Sequence, residues 1–374
     1  MNRIDVFLQY YRPHVSGLTN MAAYIAEYAA RSGLDIHVHC VSLSDDTKTT
    51  MNNGVTVHHY KKSFSLGRGI FSLALIKQMW KMRKAGGVAH VHMPYPESFI
   101  LALIFNRRWS FISTYQCDAP QDSVGDRLIA TALDWSHKLL LRRSEITVAS
   151  SEDYVAHSRL KKAISRGGAE IVPVMGDDRA GGSARYRIAG KRLIGFMGRP
   201  TYEKGINVLI GAMERMPHAD VDLLFAGPIA GLTDTVGYDQ KRFQALVDSG
   251  RVHHVGFLEE DDIKDFYASL DIYVHPSINS FEAFGIVQIE AMSAGIPVVA
   301  SNIPGVRTAI QETGFGEITK AGDEKDLLRG LLQALESQYD ARHAREVLEK
   351  KYLPPVPHEQ YLGFYRRALE QQSL

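Results

Sequence analysis

The chain has 374 residues, too many for one ordinary α/β domain, so two domains are expected. A hydrophobic content of 45% and a charged content of 23% exclude a disordered chain, and two cysteines, Cys40 and Cys117, exclude a disulfide framework and suit a reducing cytoplasm. The net charge of +1 leaves no nucleic-acid partner expected, yet residues 1–175 hold 21 Lys+Arg against 14 Asp+Glu while the remainder holds 22 against 28, so the first half suits an anionic acceptor or an anionic membrane surface.

In chain order, Ile4–Gln9 reads as a strand, not a leader, because Asp5 interrupts the apolar run. Thr19–Ser32 reads as a helix closed by Gly33. Ile36–Val41, Val55–Tyr60, Ala89–His92, Phe111–Thr114, Glu145–Ala149 and Ile171–Val174 are strand-like, with helical stretches between several of them. Ile70–Lys84 carries an apolar stripe (Ile70, Phe71, Ala74, Leu75, Met79, Met82) beside Lys77, Lys81 and Lys84. It fits a helix packed on the first sheet, or one lying on a membrane surface, and the packed reading is the more ordinary. Residues 176–190, rich in Gly and charge and without period, read as a linker. A second series follows: strands Leu193–Met197, Asp222–Ala226, His253–Gly256, Ile272–His275 and Pro297–Ala300, with helices Gly205–Met216, Ile263–Ala268 and Val287–Ala294 between them. His358–Gln371 reads as a terminal amphipathic helix. Alternating βα units predict an α/β fold of two doubly wound Rossmann-like domains, 1–175 and 190–353, facing across a cleft. Ligands of such sheets sit at the carboxyl ends of the strands, at the topological switch point.

Two stretches carry chemistry. In the first, strand Ile272–His275 runs into a loop with Glu282, then Ala283-Phe284-Gly285-Ile286 opens a helix that carries Glu290. A glycine at a helix N-terminus suits an anion. Two carboxylates beside it suit hydroxyls, since an ionised carboxylate only accepts hydrogen bonds. Phosphate with polyol means a sugar nucleotide or a phosphosugar. In the second stretch, strand Leu193–Met197 ends at Gly198-Arg199, and Lys204-Gly205 opens a helix. A planar fork and a point charge at one strand tip can neutralise a diphosphate without a metal. Asp220-Val221-Asp222 has a D-x-D spacing but reads as the start of a buried strand, and no metal or other cofactor is expected. His90 and His92 alternate along a strand and share one face. Cys117 lacks a basic neighbour that would activate it.

These stretches resemble the retaining GT-B glycosyltransferases of the family 4 type over nearly the whole chain. Gly198-Arg199 with Glu203-Lys204-Gly205 resembles the family's GR…EKG element. Glu282 and Glu290 match its EX7E spacing, and Ala294-Gly295-Ile296-Pro297-Val298-Val299 resembles the segment that follows. His90-Val91-His92-Met93-Pro94 and Val148-Ala149-Ser150-Ser151-Glu152 resemble motifs of its first domain. The resemblance implies a donor diphosphate on Arg199 and Lys204, the transferred sugar on Glu282 and the ribose on Glu290. Ala283, Phe284, Gly285 and Ile286 would complete the donor site, and the helix at 356–374 would pack back on the first domain. The family's Gly-Gly loop reads Ser16-Gly17 here, still compatible with phosphate approach. Its usual histidine after the Thr-Tyr pair is Gln116, in Thr114-Tyr115-Gln116-Cys117-Asp118. Gln116 can hydrogen-bond a sugar hydroxyl but cannot act as a base, which makes Asp118 the other catalytic candidate on that loop. The implied activity is retaining transfer of a hexose-type sugar from a nucleoside-diphosphate sugar to a glycan, lipid-linked or small-molecule acceptor. The implied setting is glycan, polysaccharide or glycolipid synthesis, in the cytoplasm or at the inner face of the membrane. A sugar-nucleotide epimerase and a non-catalytic sugar-nucleotide sensor are the rival readings.

Overall fold

The computed structural model describes every residue except 1, 2, 15, 43, 45, 67, 68, 120, 122, 229–236, 280, 281, 373 and 374. The chain divides into two compact units, Met1–Val174 with Pro355–Leu374, and Met175–Pro354.

Unit 1 contains β1 (Arg3–Phe7), β2 (Asp35–Val41), β3 (Lys48–Asn52), β4 (Val55–Tyr60), β5 (Phe64–Leu66), β6 (Gly69–Phe71), β7 (Gly87–Met93), β8 (Trp109–Tyr115), β9 (Ser144–Ala149) and β10 (Ala169–Ile171). Eight of these form one sheet in the order β10-β9-β8-β7-β1-β2-β4-β3, parallel except at the β3 edge; β5 and β6 make a separate hairpin. The order reverses between β1 and β7, which sets the switch point of this sheet. Trp109–Tyr115 is buried along its whole length, Ser110, Ser113 and Thr114 included, as expected of a central strand covered on both faces.

One strand is added and two expectations change. The β3–β4 hairpin turns on Asn53 (φ 48°) and Gly54 (φ 82°), both left-handed, so the Asn-Gly pair was the signal of an antiparallel edge strand. β10 lies at Ala169–Ile171, not Ile171–Val174, because Pro173 has no N–H to extend the ladder. The helix expected over 70–84 starts only at Leu73. Ser72 caps it, accepting from the Leu75 N–H (3.2 Å), while Ile70 and Phe71 belong to β6.

Unit 2 holds six parallel strands: β11 (Arg192–Met197), β12 (Val221–Ala226), β13 (Val252–Gly256), β14 (Ile272–His275), β15 (Val298–Ser301) and β16 (Gly316–Thr319). Their order, β13-β12-β11-β14-β15-β16, reverses between β11 and β14. The core on one side of this sheet joins Ile194, Phe196, Leu209, Leu223, Phe225, Val274 and Leu331. The final helix, Val356–Gln372, belongs to unit 1. It buries Tyr361 and Tyr365, and His90 on β7 bonds the Tyr365 hydroxyl (2.7 Å) and Thr114 (2.8 Å). No described helix is long and apolar enough to cross a membrane.

Candidate functional site

The switch point of unit 2 places the tip of β11 beside the tip of β14. Gly198 (φ 148°) ends β11, and Gly227 (φ 140°) approaches it so closely that an added Cβ would lie 2.1 Å from the Gly198 carbonyl oxygen. Arg199 follows and is exposed. The chain then makes one 3₁₀ turn, Tyr202–Lys204, and passes through Gly205 (φ 70°). There an added Cβ would lie 1.8 Å from the Pro276 carbonyl oxygen, so only glycine lets Lys204 reach the loop after β14. The Ile278 N–H donates to the Glu203 carbonyl (3.0 Å) and ties the two loops together.

Lys204 donates to Glu282 across this junction, and His275 Nε2 lies 3.6 Å from the same carboxylate oxygen. Burial pushes Glu282 up, but Lys204 and His275 outweigh it and hold the carboxyl below its usual range. Burial holds His275 down at about 4, so the ring is neutral near pH 7. Gly285 (φ 85°) could not be another residue, since an added Cβ would sit 2.6 Å from His275 Nε2. It caps the helix Ile286–Ser293, whose first turn has no side-chain acceptor, while Phe284 is buried against Tyr352 and Ala283 is partly exposed.

Glu290 stands one turn into that helix, in a different environment. Its Oε1 accepts from Arg179 Nε (3.1 Å) and Nη2 (2.7 Å), and its Oε2 accepts from the Tyr267 hydroxyl (3.1 Å). Arg179 also reaches Glu260 (2.5 Å) and Asp177 (3.2 Å), and its backbone N–H donates to Ser293 (2.9 Å). Burial raises the Glu290 carboxyl and Arg179 partly offsets it. Residues 176–190 are therefore more than a linker. Their beginning is packed on the helix of Glu290, and Arg179 is 8% exposed. The sequence analysis missed Arg179 because an aperiodic run rich in Gly and Asp gives no sign of burial. Tyr273, fully buried, lies beside Tyr267 (ring centroids 5.6 Å) and donates to the Met197 carbonyl at the β11 tip (3.3 Å).

The remaining candidates belong to unit 1. Ser16 is the N-cap of the helix Gly17–Arg31, its hydroxyl accepting from the Thr19 N–H (3.2 Å), and Gly17 is exposed in the first turn. Gln116, at the carboxyl end of β8, directs its amide nitrogen to His92 Nδ1 (3.3 Å) and Met21 Sδ (3.5 Å). His92 is fully buried and held down at about 3 by burial, and its Nε2 has no partner. Asp118, the other candidate on this loop, has the partners of a structural acceptor. It is buried, and it accepts from the Tyr115 hydroxyl (2.5 Å), the Ser158 hydroxyl (2.9 Å) and the Arg159 N–H (3.2 Å). Asp222 is a fully buried strand residue facing Lys191 and His253 (each 3.0 Å), while Asp220 pairs with Arg192. No cluster of three metal-ligating side chains occurs among the described residues.

A family model described as glycosyl transferases group 1 matches residues 183–351, and one described as a glycosyl transferase 4-like domain matches residues 16–174. The chain is 34% identical to phosphatidyl-myo-inositol mannosyltransferase of Mycobacterium leprae, over 46% of this chain and 42% of that one. It spans about half the length of several curated relatives it matches. Among solved structures, sucrose-phosphate synthase of Thermosynechococcus elongatus aligns at TM-score 0.77 and 18% identity, covering 99% of both chains. The Anabaena protein HepE in complex with UDP-glucose aligns at TM-score 0.72 and 18% identity, covering 98% of this chain and 99% of that one. Both likenesses show the fold, two Rossmann-like domains of the GT-B class.

Proposed function

Because this chain belongs to the glycosyl transferases group 1 family, of the family 4 type, we propose that it moves a hexose-type sugar from a nucleoside-diphosphate sugar to an acceptor hydroxyl with retention of configuration. The acceptor is a glycan, a lipid-linked sugar or a small polyol. The observation that carries this reading is the Lys204–Glu282 pair held over Gly285 at the switch point of unit 2. The mannosyltransferase relative and the neighbour solved with UDP-glucose support a sugar-nucleotide donor.

The chemistry follows from the charges. Arg199 and Lys204 neutralise the diphosphate as it leaves, an electrostatic stabilisation that a strand tip can pre-organise. When a phosphate oxygen takes the Lys204 ammonium, Glu282 is released to accept from the hydroxyls of the sugar, so the site stays charge-balanced. Glu290 holds one oxygen on Arg179 and offers the other, beside Tyr267, to the ribose hydroxyls. Gln116 orients the sugar or acceptor through its amide. Attack then occurs on the face from which the diphosphate departs.

A thermal-shift panel of UDP-, GDP- and ADP-sugars tests the donor assignment. One nucleotide class should raise the midpoint by mass action, and Lys204→Ala should erase the shift. No shift with any donor would remove the reading. Donor alone, without acceptor, should release little nucleotide and yield no epimer. Epimer formation from donor alone would favour the epimerase instead.

A further inference from the structure

The helix Val124–Leu141 in unit 1 is apolar on both sides. Its buried face mixes Ala130, Leu140 and Leu141 with three polar residues. Asp134 holds Arg159 through two bonds (2.9 and 3.1 Å), Ser136 bonds Ser98 (2.7 Å), and neutral His137 accepts the Tyr95 N–H (3.1 Å). Its outer face carries Val124 (74% exposed), Leu128 (71%) and Trp135 (56%), which with the partly exposed Leu139 follow one stripe at helical spacing. Packing within the chain does not explain an apolar stripe on the solvent side.

The stripe continues on its neighbours. The helix Ser98–Ile104 packs against it, places Phe99 on Trp135 (ring centroids 6.5 Å) and exposes Leu103. The helix Leu73–Met82 packs next to that one and exposes Leu73 and Trp80. Of the exposed large hydrophobic side chains among the described residues, nine belong to unit 1 and two, Tyr202 and Phe257, to unit 2. Large apolar patches of this kind mark an interaction surface.

The charges identify the partner. Lys77, Lys81 and Lys84, Arg107 and Arg108, and Arg127, Lys138 and Arg142 are exposed on or beside these three helices. Among the described acids there, Asp126 closes the capping box with Ser123, Asp134 is paired with Arg159 and Glu97 is buried, which leaves Glu145 exposed beside Arg142. Tryptophans among leucines, rimmed by exposed lysine and arginine in excess over acid, are the composition of a membrane interface. We propose that the outer face of these three helices docks on an anionic lipid bilayer, with Trp80 and Trp135 at headgroup depth. The surface stands independently of the transfer chemistry and puts unit 1 at the place where a lipid-linked acceptor would be met.

The test is co-sedimentation of the full chain with phosphatidylcholine–phosphatidylglycerol vesicles, with pure phosphatidylcholine as reference. The wild type should bind the anionic vesicles at low salt and release at high salt, because screening shortens surface attraction. Leu128→Glu with Trp135→Glu should lower apparent affinity by about tenfold or more. Phe257→Glu in unit 2 should leave it unchanged. If the apolar pair of substitutions prevents folding, Lys138→Glu with Arg142→Glu should weaken binding while keeping the wild-type melting midpoint. Absence of binding at low salt would overturn the proposal, as would undiminished binding in both double variants. A wild-type dimer that Leu128→Glu with Trp135→Glu splits, without vesicle binding, would overturn it in favour of a second copy of the chain.

Discussion

The carboxyl edges of the two sheets are built from opposite materials. In unit 2 the edge is ionic: Lys204 meets Glu282, Arg179 meets Glu290, and each carboxylate is held by a cation and hydroxyls. In unit 1 the corresponding edge keeps its charges committed, Arg12 to Glu27 and Asp118 to three donors, and its other polar groups are neutral. His90 is tied between Tyr365 and Thr114, and Gln116 leans on a His92 that burial keeps uncharged. An ionic edge can exchange partners with a charged ligand at little net cost, because a diphosphate replaces a carboxylate on the same ammonium. An edge of fixed rings and amides can only orient hydroxyls. Under the proposed function, the donor's charge and the acceptor's geometry fall to different sheets.

The contrast should be broken most severely at the ionic edge. Arg199→Ala and Lys204→Ala should each lower kcat/KM by about 10²–10³; the exposed Arg199 should leave the melting midpoint almost unchanged, whereas Lys204→Ala strips the cation from the part-buried Glu282 and should lower it. Steady-state transfer assays beside thermal melts check this. Wild-type turnover in both variants would remove the diphosphate from this strand tip.

Arg179→Met comes next. It leaves Glu290 buried without its cation, which should cost about 3–5 kcal/mol of stability. The pH dependence has a definite sign. Burial already raises the Glu290 carboxyl above its ordinary value, and loss of Arg179 raises it further. A carboxyl raised in the folded state is most favourable below its unfolded pKa, and stability falls as pH rises through the folded pKa. The variant's deficit in urea melts should therefore be smaller at pH 5 than at pH 8. An equal deficit at both would mean that Glu290 does not feel Arg179.

Asp118→Asn sharpens the contrast from the side of unit 1. Three donors lose a carboxylate acceptor, so stability should fall by about 1–3 kcal/mol while turnover per folded molecule stays near wild type. A folded but inactive Asp118→Asn would return that residue to the chemistry. Gln116→Ala should have the smallest effect, a few-fold loss of turnover, with Gln116→His keeping part of it and adding a pH dependence near about 6.5.

Much of this was legible in the residues. Strands alternated with helices, so the two sheets could be placed by period. The Glu282–Gly285–Glu290 spacing put two carboxylates around a helix start. What could not be read depends on contacts distant in sequence. Arg179 reaches Glu290 and Glu260 through a turn with no period. Asp118 stands two residues after Gln116, and nothing local shows that Tyr115, Ser158 and Arg159 donate to it. The membrane-like face was sought at 70–84, where a lysine row ran beside apolar residues. The clearer stripe, Val124–Leu139, was hidden because a helix with polar residues buried inside has the same period as an ordinary one.

Retention is the most direct test of the whole reading, because it joins the donor site to the face of attack. Once the thermal-shift panel has named the nucleotide, the transfer product can be followed by proton NMR from the first turnovers. An α-linked product from an α-linked donor is the predicted result, with nucleotide released only when acceptor is present. A β-linked product at early times would contradict it, since inversion needs a base aligned with the acceptor hydroxyl on the opposite face of the sugar.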